Sequence, residues 1–230
     1  MERRQKYPDP NRRQRHVRIA IVIFVIIVLS AWTWKLSAHE RVVEFPYYIE
    51  GDRLEVSEFI QYTGENPDCG NEIGENTAAI TVTNRSGKHL SWAKLRLELE
   101  NGEKILFEVT DLPANETALV FSLENVSCPE NPVVSSLASI ARLKDEVPMM
   151  EEQVGVQIDG ATIVLTNQTE KQLENLSVSC HTRYEEKYFG GIADVFHVEN
   201  IPAGERGAIE AGDGSLGEIE VVRMEGTISK

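Results

Sequence analysis

Residues 78–97, AAITVTNRSGKHLSWAKLRL, align without gaps on residues 161–180, ATIVLTNQTEKQLENLSVSC. Six of the twenty positions are identical: Ala78/Ala161, Ile80/Ile163, Thr83/Thr166, Asn84/Asn167, Lys88/Lys171 and Leu90/Leu173. Further along, Leu112-Pro113-Ala114-Asn115-Glu116 matches Ile201-Pro202-Ala203-Gly204-Glu205, and SLASIARLKDE from Ser136 matches SLGEIEVVRME from Ser215. Asn and Gly interchange at such a turn because both tolerate a positive φ. Within each copy, Ile80 and Val82 alternate with Thr81 and Thr83, and Ile163 and Leu165 repeat the pattern. That is the period of a half-buried strand. The best helix candidate, 135–144, has a β-rich repeat partner around 219–222, so both read as strands. Short strands, frequent turns and a twofold repeat predict a mainly β chain. It comprises two tandem small antiparallel β-sandwich (Ig-like) domains, 44–148 and 149–230, behind one N-terminal transmembrane α-helix.

One hairpin inside the repeat can be read in detail. Leu95, Leu97 and Leu99 fall on one strand face, with Lys94, Arg96 and Glu98 on the other. A two-residue Asn101-Gly102 turn would set Phe107 opposite Arg96. A three-residue loop over 101–103 instead pairs Leu99 with Ile105, Leu97 with Phe107 and Leu95 with Val109. All six apolar side chains then share a face, so the longer loop is expected.

The formal charge of −14 hides a division. Residues 1–18 hold seven basic against two acidic side chains, a net +5, and the remainder carries −19. So acidic a body repels phosphate backbones, and no nucleic-acid partner is expected. Between Arg18 and Lys35 runs IAIVIFVIIVLSAWTW, residues 19–34, with no charge. Extended over 17–38 with Arg18 and Lys35 snorkelling, it is long enough for a hydrocarbon core about 30 Å thick. Trp32 and Trp34 fall at its C-terminal edge, where indoles favour headgroups. The basic residues precede the span and place the tail, 1–16, in the cytoplasm. The stem, 39–43, and both domains are then extracellular. A cleaved signal ending at Ala38 is the alternative, but Leu36 is large for the position three residues before a cut.

The stretch TNQTEKQLENLSVSC, followed by Tyr188-Phe189-Gly190-Gly191-Ile192 and then Ile201-Pro202-Ala203-Gly204-Glu205, resembles the FxLYD type of extracytoplasmic β-sandwich found in Gram-positive bacteria. The shared features are an x-N-x-T/S turn, a strand, and a late L/I-x-A/P-G-E turn. The resemblance covers about 70 residues of the second half. The first half lacks the Gly-Gly pair and has Asn115 in place of Gly, so its place rests on the repeat. Membership implies a β-sandwich behind a signal anchor, with no catalytic residues to carry over.

Candidate chemistry is sparse. Cys180 aligns with the inward Leu97, which predicts a buried structural thiol. Cys69 and Cys128 lie in turn-like contexts, and an oxidising exterior would allow a disulfide closing about sixty residues, worth on the order of 4 kcal/mol. The sequence leaves that pairing open. His181 and His197 flank residues 188–191 and could meet across a hairpin, near Glu185, Glu186 or Glu199. Metal-ligand spacing is missing, so no metal is expected. Asp213-Gly214-Ser215 resembles part of a calcium loop but reads as a turn. There is no nucleophile elbow and no phosphate-cradling glycine loop, so neither catalysis nor a cofactor is expected. Five Asn-x-Ser/Thr sequons, at Asn84, Asn115, Asn125, Asn167 and Asn175, read as turn chemistry rather than glycan acceptors.

The expected function is therefore binding or scaffolding from a single-pass membrane anchor, with a protein or cell-envelope partner. Candidate interaction surfaces are Trp92, Tyr188 and Phe189. A metal-dependent envelope enzyme or accessory factor built on His181 and His197 is the alternative, and a passive spacer is a third.

Overall fold

The computed structural model describes residues 42–211 and 217–229. The expected tail, membrane span and residues 39–41 of the stem lie outside the described residues, as does the turn at Asp213. No described helix is long and apolar enough to cross a membrane. The described chain is mainly β. Its first half contains β1 (Tyr47–Ile49), β2 (Leu54–Asn66), β3 (Glu72–Asn84), β4 (His89–Leu99), β5 (Lys104–Leu112), β6 (Thr117–Phe121) and β7 (Val134–Lys144). The second contains β8 (Val154–Asp159), β9 (Thr162–Asn167), β10 (Leu173–Tyr184), β11 (Lys187–Phe189), β12 (Asp194–Ile201), β13 (Arg206–Glu210) and β14 (Glu218–Ile228). A single 3₁₀ turn, Pro67–Cys69, follows β2.

Pairing order exposes the repeat. In the first half β3 lies between β2 and β6, and β4 between β5 and β7. In the second half β9 lies between β8 and β13, and β10 between β12 and β14. Strand for strand the two patterns coincide. In each half the inner faces of both sheets close on one apolar cluster, a sandwich-like arrangement. The first cluster includes Val56, Ile80, Leu95, Leu97, Phe107 and Val120. The second includes Ile163, Leu165, Val178, Cys180, Ile209 and Met224. Both 134–144 and 218–228 are strands, as expected.

The identities in the repeat have a structural cause. Asn84, fully buried, donates through Nδ2 to the carbonyls of Lys88 (2.9 Å), Leu112 (3.1 Å) and Pro113 (2.9 Å). Its Oδ1 accepts from the backbone and hydroxyl of Ser86. Asn167 does the same with Lys171 (2.8 Å), Ile201 (2.8 Å), Pro202 (3.0 Å) and Thr169. Each carboxamide ties one hairpin to a later turn, Asn84 to the one before β6 and Asn167 to the one before β13. A buried polar group is retained when its hydrogen bonds are made, and here they are.

The β4–β5 hairpin corrects one expectation. Leu97 pairs with Ile105, Leu95 with Phe107 and Ala93 with Val109. The loop has the expected three residues, but they are 100–102 rather than 101–103. Gly102 then takes the last loop position at φ +84, a conformation that costs glycine little. The register differs from expectation by two residues. A slip of two keeps every side chain on its face, so the six apolar residues still point inward.

The two halves are joined through β11. Strand β10 continues past its own core into a hairpin with β11, and β11 lies parallel to β6 of the first half. Tyr188 stands opposite Ala118 and Phe189 opposite Leu119. The sheet β1-β2-β3-β6 thereby runs on through β11 into β10. The described residues form one compact unit.

Candidate functional site

The junction of the halves gathers most of the buried ionisable groups. At its centre is the Gly190-Gly191 pair. Gly190 sits at φ +99, and a Cβ on Gly191 would overlap the Glu108 carbonyl oxygen and the Val120 side chain. This bare backbone lets the N–H groups of Gly191 and Ile192 reach the Asp68 carboxylate, both at 2.9 Å. Phe121 N–H donates to the same carboxylate at 2.8 Å. Burial pushes the Asp68 carboxyl up to about 6, although the three N–H groups pull it back. Thr110 is the other clasp. Its N–H donates to the Gly191 carbonyl, its hydroxyl accepts from Ala193 N–H, and its carbonyl accepts from His181 Nε2 at 2.9 Å. Nε2 therefore carries the ring proton. Burial lowers His181 to about 4, so the stacked His181–Tyr188 pair, 4.7 Å apart, holds a neutral imidazole. Beside it Asp111 accepts from His89 (3.2 Å) and Arg223 (3.0 Å). Burial opposes the Asp111 charge, but the His89 and Arg223 contacts outweigh it and hold the carboxyl below its ordinary value.

Next to this network opens a cleft of about 570 Å³, lined by Trp92, Thr110, Asp111, Arg142, Lys144, Ile192, Val195 and Arg223. Trp92 is half-buried, and its Nε1 donates to Glu108 at 2.9 Å. The Arg142 guanidinium lies over the indole, 5.5 Å from the ring centre. Ile192 and Val195 are 37% and 45% exposed at the rim. An aromatic wall, a cationic rim and exposed apolar side chains suit non-covalent recognition. A second cavity, about 430 Å³, is lined by Cys180, His181, Phe189, Asp194, Ala211 and Gly217. Its groups are poorly set for chemistry. Burial pushes the Cys180 thiol up to about 12, and His181 already donates to Thr110.

The structure separates several residues that the sequence grouped together. Tyr188 is fully buried in the first half's core, so it is no contact surface. Phe189 is half-buried and packs edge-on against Phe121 (5.1 Å) and Tyr62 (5.9 Å). Both aromatics join the halves to each other. His197 pairs with Ser177, four residues along β10 from His181. At about 3.3 Å per residue that spacing is about 13 Å, so the two imidazoles do not converge. His197 is exposed and His181 is buried. Cys69, half-buried, and Cys128 and Cys180, both buried, are free thiols. Asn84 and Asn167 are spent in their buried clasps, Asn115 and Asn125 take positive φ in irregular connections, and Asn175 takes it at a bulge inside β10 rather than at the expected turn. Asp68, Thr110, Asp111 and Arg223 escaped sequence reasoning, because their partners in this network lie 22 to 124 residues away.

Neither a protein-family model nor a curated protein matches the chain.

Proposed function

We propose that this is a single-pass, membrane-anchored extracytoplasmic protein whose two tandem Ig-like β-sandwich modules, of the FxLYD type, bind or scaffold a partner. The anchor is supported by the +5 segment before an uncharged run of Ile and Val. The binding role rests on one observation above all, the open cleft beside Trp92. Around it, the buried carboxylates and His181 are committed to joining the halves, which makes the pair a stiff platform. Trp92 combines partial exposure with a cationic rim and exposed apolar neighbours, whereas the half-buried Phe189 packs against Phe121 and Tyr62. A photo-crosslinking residue placed at Trp92 in intact cells is expected to give discrete adducts, and one placed at Ile73, 82% exposed on another strand, is not. Equal labelling from both positions would remove the binding reading. Externally added protease should digest a C-terminal tag and spare an N-terminal one; loss of both tags would overturn the orientation.

A further inference from the structure

The outer face of the β5-β4-β7 sheet departs from the charge of the rest of the body. Residues 42–230 hold 14 basic against 34 acidic side chains. Along the outward positions of this sheet, Trp92 is flanked by Thr110 and Arg142, and Lys94 by Glu108 and Ile140. Arg96 is flanked by Leu106 and Ala138, and Glu98 by Lys104 and Ser136. With Lys144 at the end of β7, five cations meet two carboxylates. Most basic residues elsewhere are neutralised: Arg53, Arg85, Lys88, Arg183, Lys187 and Arg223 each have a carboxylate partner. Among the described residues, six cations lack one, and four of those six are Arg96, Lys104, Arg142 and Lys144 on this single face. A chain short of cations leaves them unpaired together.

Lysines on an edge strand often serve only to block aggregation. That explanation covers Arg142 and Lys144 on β7 but not Arg96, which sits on the central strand β4. The face is also not uniformly polar. Ile140 is 61% exposed, Leu106 and Trp92 are half-buried, and Ile192 and Val195 extend the apolar strip into the cleft. A polyphosphate would leave those apolar groups unaddressed and would meet Glu98 and Glu108. An extended polypeptide alternating carboxylates with apolar side chains complements both features. Beyond Val134, whose carbonyl accepts from Val43, no strand among the described residues pairs the outer edge of β7, and that edge adds backbone donors and acceptors that only a peptide strand matches. We infer that this face, with the Trp92 cleft at its end, docks an acidic, apolar-alternating extended segment of a partner protein.

The inference rests on the binding reading and names its partner chemistry. The test uses the full-length chain in detergent micelles and dye-labelled (Glu-Leu)₅, with (Lys-Leu)₅ and linear polyphosphate as competitors, read by fluorescence anisotropy. (Glu-Leu)₅ is expected to bind and to weaken by about tenfold between about 50 mM and about 500 mM NaCl. The double variant Arg96→Glu/Arg142→Glu should lose at least about tenfold in affinity, and Trp92→Ala should also weaken binding. Lys171→Glu/Arg206→Glu, which reverses the unpaired cations outside the face, should bind as the native chain does. Unchanged thermal unfolding would exclude misfolding of any variant. Competition by polyphosphate or (Lys-Leu)₅ as strong as by unlabelled (Glu-Leu)₅ overturns the inference, and so does an equal loss in the control variant. Crosslinking through position 92 without (Glu-Leu)₅ binding overturns the acidic-peptide assignment and leaves the binding reading standing. Failure of both removes both.

Discussion

Asn84 and Asn167 carry the same structural burden in the two halves, and each does so from inside the protein. Replacing either by Ala strands three carbonyls that lie 4 to 35 residues away along the chain. A buried acceptor without a donor costs about 1–3 kcal/mol, so Asn84→Ala and Asn167→Ala should each lose about 3 kcal/mol in urea denaturation. Asn84→Asp should do no better, because a carboxylate has no N–H to offer those carbonyls. The repeat made both residues visible as identities, yet nothing local revealed why they recur. Gly191 is the other residue whose role is set from a distance. Gly191→Ala drives a methyl group into the Glu108 carbonyl and Val120, and overpacking of this kind costs about 1–3 kcal/mol. Gly87, with open space around its Cα, is the matched control. Equal melting of the two Ala variants would deny the close packing at the junction.

At the scale of elements, alternation was informative where one face of a strand meets its own half's core. Leu95, Leu97 and Leu99 face inward because their neighbours Lys94, Arg96 and Glu98 do not. The strand-face assignment survived a register that was two residues off, since inward and outward positions repeat every two residues. The loop position was not readable, because both placements bury the same six side chains. Backbone conformation decides between them. With Gly102 at φ +84 closing the loop, Gly102→Ala should destabilise the chain by about 1 kcal/mol in urea titration. Glu100→Ala, at an exposed loop position, should change it by less than about 0.5 kcal/mol. Strand β11 was illegible for a different reason. Three residues are too few for a period, and its parallel partner β6 belongs to the other half. Asp68 adjoins Cys69 in a turn-like stretch, and its three N–H donors come from distant segments.

For the whole molecule, one sheet crossing both halves and a junction filled with buried ionisable groups couple folding to pH. Two of those groups pull in opposite directions. Asp68 rises from its ordinary 3.8 to about 6 chiefly through burial, so between about pH 4 and 6 the folded chain holds a proton that the unfolded chain has released. Its contribution falls as pH climbs through that window. His181 drops from 6.5 to about 4, again through burial, so there the unfolded chain holds the extra proton. Its contribution rises as pH climbs from about 4 to 6.5. Each slope approaches about 1.4 kcal/mol per pH unit, and over the shared window they oppose one another. Asp194, which faces Asp68, and Asp111 and Glu220, which face His181, remain in place when either group is replaced. Comparing two variants therefore isolates the pair. Relative to the native chain, His181→Gln should lose stability from pH 4 to 6 and Asp68→Asn should gain it, with the two curves diverging by about 4 kcal/mol. Urea titrations at half-unit pH intervals read both curves. Slopes of the same sign would mean that burial does not set these two groups, and with that the account of the junction as a dry clasp would fail.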